Sequence, residues 1–247
     1  MNRSTTVGFS QRIQLDWLEQ TAQLSISGYS RDRIKGTLDT MLSDKLSIGN
    51  NKKSGSRQLS ISTLLRIWVS VPKELETFRD RGLIHLQHLP VTDRLAIHWG
   101  MAVTVYPFFA AVAKTVGRLS DLQGYVAAAQ LQRRIREQYG ERETVTRAAR
   151  RILRCFIDWG VLQDTAEKGI YRTCAQLPIT DRQCVGWLLE AVLYSDRVGS
   201  GHFPSVVKSP ILFPLQLDTP NSLDMSRYSH LELSRQGLNH EAILLTR

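Results

Sequence analysis

Residues 127–174 read AAAQLQRRIREQYGERETVTRAARRILRCFIDWGVLQDTAEKGIYRTC, and this stretch decides which fold we expect. Its hydrophobic spacing predicts a short amphipathic helix over 127–139 and a longer one over 142–159. Each is followed by a glycine, a residue that commonly ends helices. Two β-like runs within 161–174 then flank the turn AEKG, which is typical of a hairpin. Helix, turn, longer helix and hairpin is the order of a winged helix-turn-helix, so the sequence predicts that module at the centre of the chain.

The longer helix has one apolar face and one arginine face. The apolar side chains recur at helical spacing and are Val145, Ala148, Ala149, Ile152, Leu153 and Phe156. The opposite face carries Arg147, Arg150, Arg151 and Arg154. A helix that packs through its apolar face presents such guanidinium groups outward, where they donate forked hydrogen bonds to phosphates and guanine edges. The shorter helix adds Arg133, Arg134 and Arg136 as contacts to the DNA backbone, and Arg142, at the start of the longer helix, is also predicted to bind DNA.

The overall charge indicates a polyanion as the partner. The chain has 247 residues, with 32 Lys and Arg against 23 Asp and Glu, a formal net charge of +9. Twenty-four of the basic residues are arginines, whose planar fork matches phosphates and base edges better than a lysine ammonium does. Residues 133–154 alone hold eight arginines and three glutamates, a net charge of +5. We therefore predict double-stranded DNA as the partner, bound at this stretch.

Two further basic segments extend the predicted DNA surface. The hairpin carries Lys168 at its tip and Arg172 on its second strand, within reach of an adjacent groove or the DNA backbone. The stretch 49–58, GNNKKSGSRQ, has no apolar residue and predicts an exposed basic loop that clamps phosphates. Its basic side chains are Lys52, Lys53 and Arg57. The stretch does not match the nucleotide-binding pattern GxxxxGK[ST], so it does not predict an NTPase, and a plain exposed loop is the alternative.

No group of residues in the sequence has the pattern of a catalytic or metal site. The three cysteines are scattered without a CxxC pair, which argues against a disulfide framework and a zinc finger. There is no GxSxG motif, and the carboxylates are dispersed rather than clustered as Mg²⁺ requires. His85, His88 and His98 lie close in sequence without a cysteine or a set of carboxylates to complete a ligand set. We therefore expect no enzymatic activity, no cofactor and no metal.

The whole sequence predicts a mainly α protein in three regions. A helical region over 1–90 begins with a helix at 10–26. A helical core and the winged helix-turn-helix occupy 91–176. A C-terminal helix and a small Pro-rich β region follow over 177–247.

One apolar segment of the sequence is long enough to be considered as a membrane span. Residues 95–113, LAIHWGMAVTVYPFFAAVA, carry no formal charge over nineteen positions, which just meets the length of a membrane span. Pro107 interrupts the segment, and the chain around it is basic and polar. We interpret the segment as a buried helix that ends near Tyr106 and a second helix that starts at Pro107. We therefore predict no membrane contact and a cytoplasmic location.

Two stretches of the chain resemble a known family. They are HWGMAVTVYPFFAAVA at 98–113 and RRIREQYGERETVTRAARRILRCFIDWGVL at 133–162. Within the second, the matching positions are Thr144, Arg150, Leu153, Gly160, Val161 and Leu162. This order of features resembles the BrxA family of bacterial BREX anti-phage systems, over roughly a third of the chain. The resemblance implies a small, basic, helical DNA-binding protein without known catalytic activity.

These observations lead to one predicted function and one alternative. We predict a non-enzymatic protein that binds double-stranded DNA as a component of a bacterial anti-phage defence system. The alternative is an adaptor or scaffold subunit, because winged helices also bind protein surfaces or RNA. Salt dependence and the effect of duplex length distinguish the two, since only binding to the DNA backbone releases counterions along the duplex.

Overall fold

The computed structural model describes residues 7–46, 55–196, 198–218, 228–235 and 241–246. Over these residues the protein is mainly helical, as predicted. The α-helices are α1 (Leu15–Ile26), α2 (Arg31–Met41), α3 (Ser56–Trp68), α4 (Glu76–His88), α5 (Arg94–Val105), α6 (Pro107–Gln123), α7 (Ala128–Tyr139), α8 (Glu143–Asp158), α9 (Arg182–Asp196) and α10 (Phe203–Val207). The strands are β1 (Val126–Ala127), β2 (Leu162–Asp164), β3 (Ile170–Thr173), β4 (Leu177–Ile179), β5 (Ser200–His202), β6 (Leu215–Leu217), β7 (Leu231–Arg235) and β8 (Glu241–Leu245).

The described strands form three small sheets. The first is antiparallel with the order β1-β3-β2, so the strand before α7 pairs with the second strand of the hairpin. The second joins β4 and β6 in parallel. The third is antiparallel with the order β5-β8-β7, and it supplies the β element predicted for the C-terminal region.

The apolar segment 95–113 lies across two helices that meet at a sharp bend. The first helix ends at Val105 and the second begins at Pro107, as the sequence predicts, with an angle of 118° across the break. Residues 96–105 are all buried inside the protein. Within the described parts of the chain, no single helix has the length and apolarity to cross a membrane, and only this bent pair passes by length and composition.

One hydrophobic core runs through the described parts of all three predicted regions, and Trp99 lies at its centre. Its ring lies 4.9 Å from Phe156 of α8, 5.4 Å from Phe109 of α6 and 5.3 Å from Phe213, between ring centroids. The indole Nε1 also donates a hydrogen bond of 2.9 Å to the carbonyl of Ile211. Aromatic rings at these distances stabilise one another beyond the area they bury. The C-terminal region is therefore attached directly to the core behind α8.

The first helix is shorter than predicted. The sequence predicts a helix over 10–26, but α1 begins at Leu15 and residues 7–14, which we call the strap, have no helical structure. Burial alternates along the strap, with Phe9, Gln11 and Ile13 buried and the residues between them more exposed. An extended chain alternates in this way because successive side chains point to opposite sides.

Candidate nucleic-acid interface

The predicted DNA-binding residues lie in a unit of three helices and one sheet, residues 107–173, which we call the basic unit. Helix α6 is followed by β1, then α7, α8 and the hairpin of β2 and β3. The strand β1 closes the unit because Val126 pairs with Tyr171 of the hairpin. Gly140, at the end of α7, has a φ of +90°, which favours glycine and allows the chain to turn directly into α8.

Helix α8 has the two faces that the sequence predicts. The core side holds Val145, Ala148, Ala149, Ile152, Leu153, Cys155 and Phe156, all of which are buried. The opposite side presents a row of four charged residues, which we call the outer row: Glu143, Arg147, Arg150 and Arg154. They are spaced i, i+4, i+7 and i+11, so they follow one line along the helix. The apolar face fixes the helix in the protein and leaves this line in contact with solvent.

Two arginines of the outer row are held by acids. The Nη2 of Arg147 donates to Oε1 of Glu143 at 2.7 Å, four residues earlier on the same helix. The Nη1 of Arg154 lies 3.6 Å from Oδ2 of Asp164, on the first strand of the hairpin. Within the described part of the chain, no acid pairs with Arg150. The row therefore contains one unpaired guanidinium between two oriented ones.

Arg151 was predicted to belong to this row, but it lies on the flank of α8. Its Nη1 donates a hydrogen bond of 2.5 Å to the carbonyl of Ser10 in the strap. At about 100° per residue, residue 151 lies about 40° from residue 147 but about 100° from residue 150, on the side of the helix where the strap runs. The predicted group of four arginines is thus a row of three, and Arg151 attaches the strap.

The strap follows the flank of α8 over its whole second half. Both oxygens of Asp158 accept hydrogen bonds of 2.5 Å from Arg12. The indole of Trp159 donates to the carbonyl of Ile13 at 2.9 Å, and the amide of Ile13 donates to the Cys155 thiol at 3.2 Å. Burial raises the pKa of that thiol to about 12, so it stays protonated. Sequence reasoning missed this attachment because the buried Gln11 is polar, so the sequence of residues 9–13, FSQRI, does not show the alternation that burial has in the structure.

The arginines of α7 do not share one face. Arg133 is exposed and lies 3.7 Å from Glu137, whereas Arg134 and Arg136 are half-buried. The Nε of Arg136 is buried and has no hydrogen-bond partner in the described part of the molecule. Arg142, in the turn before α8, donates to the carbonyl of Tyr139 at 3.2 Å. Of the predicted α7 arginines, Arg133 is the one most open to a partner.

The hairpin has the predicted position and a well-defined turn. Gly169 adopts a φ of +83°, and the hydroxyl of Thr165 donates to the carbonyl of Ile170 at 3.0 Å. Lys168 is exposed beside this turn. Arg172 is exposed on β3, in the middle of the pairing with β2. Both predicted basic residues of the hairpin are therefore accessible.

The second half of the basic loop predicted over 49–58 is helical in the structure. Lys52 and Lys53 lie outside the described residues, while residues 56–58 form the first turn of α3. Arg57 is only 9% exposed, and its Nε and Nη2 each donate a hydrogen bond of 3.1 Å to a backbone carbonyl, of Leu46 and of Ser43. The prediction that Arg57 contacts DNA from an exposed loop is therefore wrong, because its guanidinium holds the end of α2 against α3.

The three histidines considered as metal ligands lie on helices and do not converge. Over the described ranges, no group of three His, Cys, Asp or Glu side chains is placed to hold a metal ion. His98 is buried, and its Nε2 lies 2.9 Å from Oε2 of Glu19. The hydrogen bond from His98 lowers the pKa of Glu19 to about 2, and burial lowers the pKa of His98 itself. A neutral imidazole of His98 that donates its Nε2–H to the Glu19 carboxylate accounts for both lowered pKa values.

Comparison with known proteins gives no match: no family model, no curated protein and no solved structure is similar to this chain. The resemblance to the BrxA family therefore stays a prediction that depends on the two stretches quoted above.

Proposed function

We propose that this chain binds double-stranded DNA, with the basic unit as a winged helix-turn-helix and α8 as its recognition helix. The observation that carries this proposal is the outer row of α8, where Arg147, Arg150 and Arg154 face solvent on a helix whose other side is buried. The order of elements supports it, because α7, α8 and the hairpin follow one another as in that module, with β1 completing the sheet.

The dimensions of α8 suit a major groove. Sixteen residues make a helix about 24 Å long, and its diameter of about 10–12 Å matches a groove about 12 Å wide. Residues 147 and 154 are separated by about 10 Å along the axis. This length covers about three base pairs at about 3.4 Å each, so the three guanidinium groups can reach both phosphates and base edges.

The ion pairs of the outer row do not prevent binding. The side chains of Arg147 and Glu143 are 54% and 83% exposed, and exposed pairs of this kind contribute only about 0–1 kcal/mol. A phosphate or a guanine edge can therefore take over a guanidinium at little cost. Lys168 and Arg172 of the hairpin lie on the element that contacts the neighbouring backbone in such modules.

The test is DNA binding by a variant that lacks the outer arginines. Wild type and Arg147→Ala/Arg150→Ala/Arg154→Ala are titrated against a fluorescently labelled 30-base-pair duplex at several salt concentrations. The matched control is Lys35→Ala/Lys73→Ala/Lys208→Ala, which removes three positive charges from exposed positions outside the basic unit. Each lost phosphate contact reduces the slope of log K against log salt by about 0.9. We expect the first variant to lose about 2 to 3 units of slope and the control to bind like wild type.

Other outcomes contradict the proposal. If the arginine variant and the control bind DNA equally well at the same thermal stability, α8 is not the DNA site. If wild type does not bind duplex DNA, the adaptor interpretation replaces it, and binding to RNA or an acidic protein surface is tested next. A role in anti-phage defence rests on the resemblance alone, and phage plating on cells with and without the chain tests it.

A further inference from the structure

A carboxylate, that of Glu143, stands in the outer row of α8; its place in the first turn suits the helix dipole, and it also lies on the side of the helix that carries the three arginines. The side chain of Glu143 is 83% exposed in the first turn of the helix, in line with the three arginines. Duplex DNA carries one negative charge per about 1.7 Å of axis, so a carboxylate facing it lowers the affinity for any sequence. One group in the major groove does attract a carboxylate: the N4 amino group of cytosine, which is a hydrogen-bond donor.

Glu143 also orients the arginine beside it, through an exposed and therefore weak ion pair. The Nη2 of Arg147 donates to Oε1 of Glu143 at 2.7 Å, which uses one of the five N–H donors of the guanidinium. The remaining donors include a parallel pair, and such a pair fits O6 and N7 of guanine. An arginine that is already oriented loses less side-chain entropy when it binds a base edge than one that moves freely. The pair is thus arranged for recognition of a base rather than for neutralisation of a phosphate.

The other two arginines of the outer row are held less closely by acids than Arg147 is. Arg154 is paired with Asp164 of the hairpin at 3.6 Å, at the other end of the row. Among the described residues, Arg150 has no acid to orient it. A freely rotating guanidinium suits phosphates, which present oxygens in many directions, and Arg150 is suited to that role.

We propose that Glu143 and Arg147 are specificity-determining residues that select a duplex with a guanine and a nearby cytosine in the major groove. This inference rests on the proposed function. Arg147 donates two hydrogen bonds to guanine O6 and N7, and Glu143 accepts one from cytosine N4. The partner is accordingly a G·C-containing sequence in duplex DNA and not duplex DNA in general.

The test is selection from a randomised duplex library, followed by competition binding with the enriched sequence. Wild type is compared with Glu143→Gln, Arg147→Lys and the control Glu141→Gln. Glu141 is exposed in the turn before α8 and outside the outer row, so its substitution removes the same charge from the same neighbourhood. Each good base contact discriminates by roughly 5- to 150-fold. We expect wild type and the control to enrich a G·C-containing motif with equal preference.

The variants of Glu143 and Arg147 are expected to distinguish an effect on base preference from an effect of charge on overall affinity. Glu143→Gln binds random duplex more tightly than wild type and loses its preference for one base pair by on the order of 10-fold. Arg147→Lys keeps the charge and the salt slope but loses the preference for guanine, because lysine has no fork. The tighter binding of random duplex follows from the lost negative charge alone, but the loss of a base preference is not expected from a residue that only stabilises the start of a helix.

The outcomes distinguish this inference from the function on which it rests. If wild type binds with a steep salt dependence but enriches no base, the inference is overturned while DNA binding stands. If Glu143→Gln changes only the thermal stability, the carboxylate serves the helix N-terminus and the inference also fails. If wild type binds no duplex at all, both the proposed function and the inference are overturned.

Discussion

At the scale of single residues, arginine has several different uses in this molecule, and composition cannot tell them apart. Arg150 faces solvent, and Arg151 donates a hydrogen bond to the strap. Arg57 is buried, and its guanidinium donates hydrogen bonds to two backbone carbonyls. Helical spacing identifies the outward direction of α8, which is why residues 147, 150 and 154 could be predicted. Helical spacing cannot predict what covers the flank of α8, because the hydrogen-bond partner of Arg151 comes from a segment 141 positions away in the sequence.

Arg150 and Arg151 form a matched pair for a first prediction. We expect Arg150→Ala to reduce the salt slope of DNA binding by about 0.9 and to leave the melting temperature unchanged. Arg151→Ala is expected to leave the slope unchanged and to lower the free energy of unfolding by about 1–3 kcal/mol, because the Ser10 carbonyl loses a charged donor. Fluorescence anisotropy and urea unfolding measure the two effects. An equal loss of slope in both variants would show that Arg151 also contacts DNA.

The pair formed by the half-buried Glu19 and the buried His98 predicts how stability depends on pH. The pKa of Glu19 falls from 4.5 to about 2 on folding, so its contribution is present above pH 4.5 and is lost as pH falls towards 2. The pKa of His98 is also lowered, so folding becomes less favourable as soon as pH falls below 6.5, where the unfolded imidazole binds a proton. Both effects reduce stability in acid.

Urea unfolding of wild type and Glu19→Gln from pH 7 to pH 3 tests this dependence. We expect the variant to be less stable at pH 7, because Arg94 and His98 both bond to this carboxylate. Its stability should also vary less between pH 4.5 and pH 3 than that of wild type. Parallel pH curves for the two proteins would contradict the role assigned to Glu19.

At the scale of elements, the hairpin and the helices of the basic unit agree with the sequence pattern to within about one residue. The helix predicted over 142–159 spans 143–158, and the one over 127–139 spans 128–139. Strong amphipathic spacing and the glycines that end each helix explain this agreement. The strap was missed because its apolar residues and those of α1 lie so close together that a helical period seemed to join them.

The hairpin carries a prediction of its own. Lys168→Ala/Arg172→Ala is expected to reduce the salt slope by about 2, since each exposed cation neutralises a phosphate. The sequence preference is expected to stay that of wild type, because contacts to the backbone position a protein on DNA but do not read bases. Salt-dependent anisotropy and library selection measure these two properties. An unchanged slope would mean that the hairpin does not touch the duplex.

At the scale of the whole molecule, the predicted regions share the hydrophobic core around Trp99. The sequence predicts the mainly α class and a small C-terminal sheet, and the structure has both. It could not predict that Phe213 and Ile211 would reach the ring of Trp99, because such contacts depend on which faces meet after folding. Helix α8 is consequently supported from behind by residues from both sides of it in sequence.

This arrangement predicts cooperative unfolding. Helix content and tryptophan fluorescence are expected to change in one coincident thermal transition, because the core is continuous. Trp99→Ala should lower the free energy of unfolding by about 3–5 kcal/mol, and Trp99→Phe by less, since it keeps most of the ring contacts. Circular dichroism and fluorescence on the same samples measure this. Two separate transitions in wild type would contradict a single cooperative unit.

The strap also has a consequence for synthesis on the ribosome. The backbone of Ile13 and the indole that bonds to it are 146 positions apart. At about 5–20 residues per second, translation of the chain between them takes roughly 7–30 s. During that time Ile13 lacks the surface of α8 to which it binds in the folded protein, so a chaperone that holds exposed apolar segments can bind this part of the nascent chain.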